Sequence, residues 1–212
     1  EHTFGLMLAL ARHIPQAHQS MAAGKWDRKA FMGAELRGKT LGIVGFGRIG
    51  RAVAKRALAF EMKVITADPY IAADVAADLG VELVYLDDLF RRADFITLHS
   101  LLTNETRDMI NRQTIALMKP GVRIIDAARG ALINEADLAE AIKSGQVAGA
   151  ALDVYSVEPP ASDNPLIGLP GVVHTPHLAA STEDAQIAVA VEAAQLTVDA
   201  LLKRSYRNVV NP

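Results

Sequence analysis

The chain has 212 residues, 50% of them hydrophobic and 22% charged, a formal net charge of -2 and no cysteine. That length accommodates one α/β domain with a well-buried core, and the composition excludes wholesale disorder. The near-neutral charge gives no electrostatic ground for nucleic acid or an anionic membrane as partner, while the lack of cysteine excludes disulfides, thiolate metal sites and cysteine nucleophiles and matches a reducing, cytoplasmic compartment.

Phe4, Met7, Leu8 and Ala11 recur at helical spacing and predict an opening helix from about Phe4 to Met21, packed on the flank of the main unit. No capping residue precedes it, so the start reads as excised from a longer chain. Phe4, Leu6, Met7, Leu8 and Leu10 cover more than one face of this helix. The excess implies a second packing partner, and a homodimer through this helix and the segment holding Trp26 is the expectation. Phe4 to Ala11, read as the longest apolar stretch, falls short of the roughly 18 residues needed to cross a bilayer. Nothing at the start has the order of a signal peptide.

From Leu41 onward, apolar runs alternate with helical patterns. The runs Leu41–Val44, Lys63–Ala67, Val81–Val84, Phe95–His99, Val122–Ala127, Val147–Leu152 and Val172–His174 read as strands. Several are continuous rather than alternating, as in parallel strands covered on both faces. Arg48–Phe60, Ala72–Leu79, Arg112–Met118, Asn134–Ser144 and Ser181–Arg204 read as helices. Asn134 with Asp137, and Ser181 with Asp184, have the look of caps with an acidic third residue. The alternation predicts a doubly wound parallel sheet, three αβα layers with an N-terminal flanking helix. Arg207–Pro212 reads as an extended segment leading elsewhere. With neither repeat nor linker, residues 1–212 form one domain in this reading.

Gly45-Phe46-Gly47-Arg48-Ile49-Gly50 follows the first strand and opens a helix. Gly45 permits the tight turn, Gly47 lets backbone approach a pyrophosphate, and Gly50 lets the helix pack closely, its N-terminus toward the phosphates. Asp68 ends the next strand at the distance a ribose partner requires. A carboxylate there accepts ribose hydroxyls and repels a 2′-phosphate, which favours NAD over NADP. Asp68 also reads as a turn former before Pro69.

Polar groups follow the later strands: Ala128-Arg129-Gly130, Asp153, Glu158 before Pro159, and His177. Singly, each has an ordinary explanation in a solvated loop or a structural histidine. His2, His13, His18, His99 and His174 keep that structural reading. Together they fall just after strand ends, where an open α/β sheet binds its ligands. Arginine can hold a substrate carboxylate or keto oxygen bidentately. Histidine exchanges the hydroxyl proton, and an acid orients the ring and stabilises imidazolium.

At Glu1-His2-Thr3, residues 38–42, Gly45–Gly50, Ala128-Arg129-Gly130, Gly149–Val154, Glu158-Pro159 and Pro176-His177, the sequence resembles the D-2-hydroxyacid dehydrogenase family across nearly its whole length. The resemblance implies a Rossmann-type NAD-binding domain inserted into a substrate domain. It implies a hydride transferred between NAD(H) and a small D-2-hydroxy or 2-keto acid, with Arg129, Glu158 and His177 as the catalytic triad and no metal. Ala128 joins the Gly45, Gly47, Arg48, Ile49 and Gly50 turn at the cofactor, Asp153 holds the nicotinamide carboxamide, and Asp68 holds the adenosine ribose. Leu101 and Thr106 line the adenine and ribose side. Departures are Leu101 where proline is frequent, Asp126 where asparagine is, and Ala179-Ala180 where glycines often stand. Glu158 separates the chain from formate dehydrogenase relatives, which lack it. A rival of another class is an NAD(H)-sensing corepressor-like module that keeps the triad, and turnover by the full-length protein separates the two.

Overall fold

Short runs rich in valine and isoleucine, mostly without polar alternation, form the middle of one parallel sheet. The computed structural model describes residues 1–209, so the last part of the extended terminal segment lies outside the described residues. The chain divides into two units, Glu1–Pro176 and His177–Pro212.

In the first unit the strands are β1 (Thr40–Val44), β2 (Lys63–Ala67), β3 (Glu82–Leu83), β4 (Phe95–Leu98), β5 (Val122–Asp126), β6 (Val147–Leu152) and β7 (Val172–His174). They lie in the order β3-β2-β1-β4-β5-β6-β7, every pair parallel. The order reverses between β1 and β4, which creates a crevice at their carboxyl ends. The helices are α1 (His2–Ala11), α2 (Ile14–Ala22), α3 (Arg48–Ala59), α4 (Ala73–Ala77), α5 (Leu86–Arg92), α6 (Arg112–Ile115) and α7 (Glu135–Lys143). Two apolar cores cover the two sheet faces. One joins Leu41, Ile43 and Ile125 to Met7 and Leu10 of α1 and Val53 and Ala57 of α3. The other joins Val44, Ile96 and Ile124 to Leu89 and Phe90 of α5, Ile115 of α6 and Leu138 of α7. Alternate residues of one strand thus serve opposite cores, giving the three layers.

Several expectations change. The opening helix is two helices, because His13 takes φ 52 and Pro15 sits in the first turn of α2. Proline lacks the N–H that a continuous helix requires there. Phe4, Leu6, Met7 and Leu10 are all buried in this unit's own core, so the apolar excess of α1 does not require a second partner. The helix α5 was not foreseen; its first turn holds acidic Asp87 and Asp88 and its last turn basic Arg91 and Arg92, as the helix dipole favours.

The second unit is built on α8 (Glu183–Lys203). Its cap is Thr182, whose Oγ1 accepts the Ala185 N–H at 3.1 Å, and not Ser181. Asp199 gathers Lys203 at 2.8 Å and Arg207 at 2.8 Å around the helix end. Ile187, Val189, Val191, Leu201 and Leu202 are exposed. With 21 residues, α8 is long and apolar enough to cross a membrane by length and composition, which the sequence reading had reserved for no segment.

Candidate cofactor-binding and active site

The turn after β1 is shaped by close backbone contact. Gly45 has φ +92, and a Cβ there would lie 2.7 Å from the His99 carbonyl. A Cβ on Gly50 would lie 2.2 Å from the Gly45 carbonyl oxygen, so α3 starts hard against the turn. At Gly47 an added Cβ meets nothing within 4 Å. Open space faces that residue, and no side chain caps α3. The amides of its first turn, including Arg48 and Ile49, are therefore offered to a bound anion, as a dinucleotide pyrophosphate requires.

Asp68 stands beside this turn. Its Oδ2 accepts the Phe46 N–H at 2.7 Å and its Oδ1 the Tyr70 N–H at 2.9 Å. It both shapes its own turn and ties β2 to the glycine loop, and each oxygen retains lone-pair capacity for a ribose hydroxyl. Across the crevice, Thr106 Oγ1 donates to the Leu101 carbonyl at 2.7 Å and accepts the Thr103 N–H at 2.8 Å. Thr106 closes the loop whose exposed tip is Leu101.

The loops after β5 and β6 touch. A Cβ on Gly130 would fall 1.9 Å from the Tyr155 carbonyl carbon, so only glycine lets the Ala128-Arg129 loop lie against the Asp153–Glu158 loop. Arg129 is exposed, with Nη1 donating to the Ala128 carbonyl. Glu158 is exposed, and its Oε1 accepts the Tyr155 N–H at 3.1 Å. Asp153 is fully buried at its side chain, and its N–H donates to the Asp126 carbonyl at 2.9 Å. Thr175 Oγ1 donates to Asp153 Oδ1 at 2.6 Å, and His2 Nε2 lies 3.1 Å from the same oxygen. The structure therefore brings Arg129, Asp153 and Glu158 to one edge. His177 opens the second unit, exposed, with φ 54.

His2, read from sequence as structural, is a site neighbour that the reading missed. Its spacing from Asp153 is 151 residues, and no local pattern encodes such a contact. His99 does keep the structural reading: Nε2 lies 3.0 Å from Thr97 Oγ1, and burial pulls its pKa down to about 4. His174 also does; its Nδ1 meets the Tyr155 hydroxyl at 2.6 Å, and burial lowers its pKa. Among the described residues no group of three His, Cys, Asp or Glu is placed to hold a metal.

Asp126, the departure at the end of β5, is buried with Oδ1 accepting the Ala128 N–H at 2.8 Å and Oδ2 unpartnered. Desolvation raises its pKa to about 7, against the pull of the Ala128 and Arg129 amides and the Arg129 charge, with Asp153 adding repulsion.

The chain matches the model of the D-isomer specific 2-hydroxyacid dehydrogenase NAD-binding domain over residues 4–179. It is 54% identical over 212 residues to D-3-phosphoglycerate dehydrogenase of Methanocaldococcus jannaschii, covering 100% of this chain and 40% of that protein. It is 54% identical over 194 residues to hydroxypyruvate reductase of Thermotoga maritima, covering 91% of this chain and 62% of the relative. Its fold matches the crystal structure of a glyoxylate reductase from Paecilomyes thermophila with a TM-score of 0.92 at 34% identity, over 99% of this chain and 63% of that one. The chain belongs to the D-2-hydroxyacid dehydrogenase family and is its NAD-binding domain. It spans 40% of the length of the phosphoglycerate dehydrogenase it matches.

A pH-dependent test follows from Asp126. A carboxyl whose folded pKa is raised contributes stability that is present below the ordinary carboxylate range and lost as pH climbs to about 7. Relative to Asp126→Asn, the unsubstituted protein should lose on the order of 1.4 kcal/mol per pH unit between pH ~4 and ~7. Urea denaturation of both proteins across that range measures it. A constant difference would show that Asp126 is ionised throughout.

Proposed function

We propose that this chain is the cofactor-binding part of a longer enzyme that moves hydride between NAD(H) and a small D-2-hydroxy or 2-keto acid. The reading favours 3-phosphoglycerate and 3-phosphohydroxypyruvate, the first step toward serine, because relatives named D-3-phosphoglycerate dehydrogenase match the whole chain at about half identity. Glyoxylate or hydroxypyruvate reduction is the alternative, supported by the relatives so named. The observation that carries the reading is the uncapped start of α3 at Gly45–Gly50 with Asp68 bonded to its turn.

When bound, NAD supplies a nicotinamide ring that accepts or returns a hydride at C2 of the acid. The chain's own residues do the rest. First-turn amides of α3 bind the pyrophosphate, Asp68 the adenosine ribose, and Asp153 the nicotinamide carboxamide, with Leu101, Thr106 and Ala128 along the walls. Arg129 holds the substrate carboxylate or keto oxygen through its forked N–H groups. His177 takes the hydroxyl proton during oxidation and returns it during reduction, and Glu158 orients its ring and stabilises the imidazolium form. In this reading His177 joins Arg129 and Glu158 in the full enzyme.

The same reading puts the protein in the cytoplasm as a homodimer through α1, α2 and the Trp26 segment. Trp26 and Met32 are exposed apolar side chains that such an interface would cover. The exposed apolar residues of α8 are read as a packing surface for the remainder of the enzyme. Glu192 and Asp199, within the helix, speak against a membrane span.

Asp68→Ala should weaken NAD binding by about tenfold, the scale of a hydrogen bond to a charged group, and weaken NADP binding less. Calorimetry with both nucleotides decides it, since equal losses would leave Asp68 a turn former only. In the full-length enzyme, His177→Ala should lower kcat on the order of a hundredfold or more. Near-normal turnover with a panel of 2-hydroxy acids would remove the proton role, and a wild-type protein inert toward that panel would favour the cofactor-sensing class. Sedimentation of the full-length protein should give a dimer; a monomer at high concentration would remove the proposed interface.

A further inference from the structure

Asp153 is a carboxylate with a side-chain exposure of 0%, and such a group requires hydrogen-bond donors to remain charged. Thr175 and His2 are side chains that supply them. Thr175 has one hydroxyl proton, and it goes to Asp153 Oδ1 at 2.6 Å. His2 Nε2 lies 3.1 Å from that oxygen and 3.1 Å from Thr175 Oγ1. Toward the imidazole both neighbours are acceptors, because the threonine proton is already committed. Nε2 must therefore carry hydrogen, which fixes the ring as a donor whatever the state of its other nitrogen. The three groups close a small triangle joining the first turn of α1 to the loops that leave β6 and β7.

Two donors converging on Oδ1 fix the plane of the carboxylate, and the direction of Oδ2 follows from it. A carboxamide is read by its NH2 donors, and it turns with the pyridine ring to which it is attached. The orientation of Asp153 thereby sets the orientation of the ring. The imidazole side chain is only 26% exposed, so the ring is largely held within the unit.

We propose that His2 is a positioning residue for the nicotinamide end of the cofactor, acting with Thr175 through Asp153. This role rests on the reading of Asp153 as the carboxamide partner. His2 does not touch the reacting atoms. It holds the acceptor that orients the ring, and α1 thus contributes to the redox end of the site as well as to the core.

The test compares NADH with ADP-ribose, which has the adenosine and both phosphates and lacks nicotinamide, by calorimetry on the full-length enzyme. His2→Ala should weaken NADH about tenfold, the scale of one hydrogen bond to a charged group, and leave ADP-ribose affinity unchanged. His2→Gln, whose amide also donates an N–H, should restore most of the NADH affinity. Equal losses for both ligands, or no loss for either, would overturn the proposal, since a purely structural histidine would not distinguish the two ends of the dinucleotide. Failure of His2→Gln to recover any of the difference would also count against it. Asp153→Ala separates the two levels of the argument. If it changes the NADH to ADP-ribose ratio while His2→Ala does not, only the positioning role falls. If Asp153→Ala leaves the ratio unchanged, the carboxamide reading falls and takes the positioning role with it.

Discussion

A side-chain carbon on Gly130 would lie 1.9 Å from the Tyr155 carbonyl carbon, inside any permitted contact. The loop that carries Arg129 can therefore meet the loop that carries Asp153 and Glu158 only if that position has no side chain. The same device is used at the other half of the crevice, where Gly45 faces the His99 carbonyl and Gly50 faces the Gly45 carbonyl. Parallel strands bring their loops to a common edge, but the spacing between those loops is set by how closely two backbones approach. Glycine at these points converts an edge of the sheet into a site.

Close approach has an electrostatic consequence. Asp126 and Asp153 both leave strand ends at this edge, and both are buried. Each must be relieved of the cost of an unsolvated charge, and the two are relieved differently. Thr175 and His2 donate to Asp153, so hydrogen bonds offset part of the cost of burying it. Asp126 accepts the Ala128 amide on Oδ1 with the Arg129 amide close by, its Oδ2 is unpartnered, and its pKa climbs to about 7. Repulsion from a charged Asp153 pushes the same way. The acid at the end of β5 thus ionises far less readily than an ordinary carboxyl while the acid after β6 is supplied with donors, which lessens the repulsion of two buried negative charges side by side.

The sheet was legible because continuous apolar runs have few other uses. Strands β2, β6 and β7 coincide with the runs read for them, and the others differ by one or two residues at their ends. The helix α5 was not legible, since Leu86–Arg92 has only two turns and its charged residues mask the buried pair Leu89 and Phe90. The break at His13 was overlooked although Pro15 marks it. In the site, the glycine turn and Asp68 could be found from spacing, because the strand, turn and helix lie together in sequence. The contact of Gly130 with Tyr155 and that of His2 with Asp153 could not be found that way. Both depend on strand order, which brings residues far apart in sequence to adjacent positions on one edge. The apolar residues of α1 are ambiguous for a related reason: a helix inserted between the core and a second element needs two apolar faces, and sequence cannot say whether the second belongs to the same unit.

The relatives and structural neighbours are named for glyoxylate, hydroxypyruvate and 3-phosphoglycerate, yet all of them match this chain over nearly its whole length. What such acids share is a carboxylate next to the carbon that carries the hydroxyl or keto oxygen. They differ in what is attached to the far side of that carbon. Hydride transfer, proton exchange and grip on a carboxylate involve only the shared part, and in the proposed reading Arg129, Glu158 and His177 serve the last two. A domain that reads only the shared part can be kept while the rest of the enzyme changes its substrate. At the cofactor edge lie the close approaches of Gly45, Gly50 and Gly130 and the buried acids Asp126 and Asp153. In the proposed reading, discrimination among acids falls to residues that meet the far side of the reacting carbon.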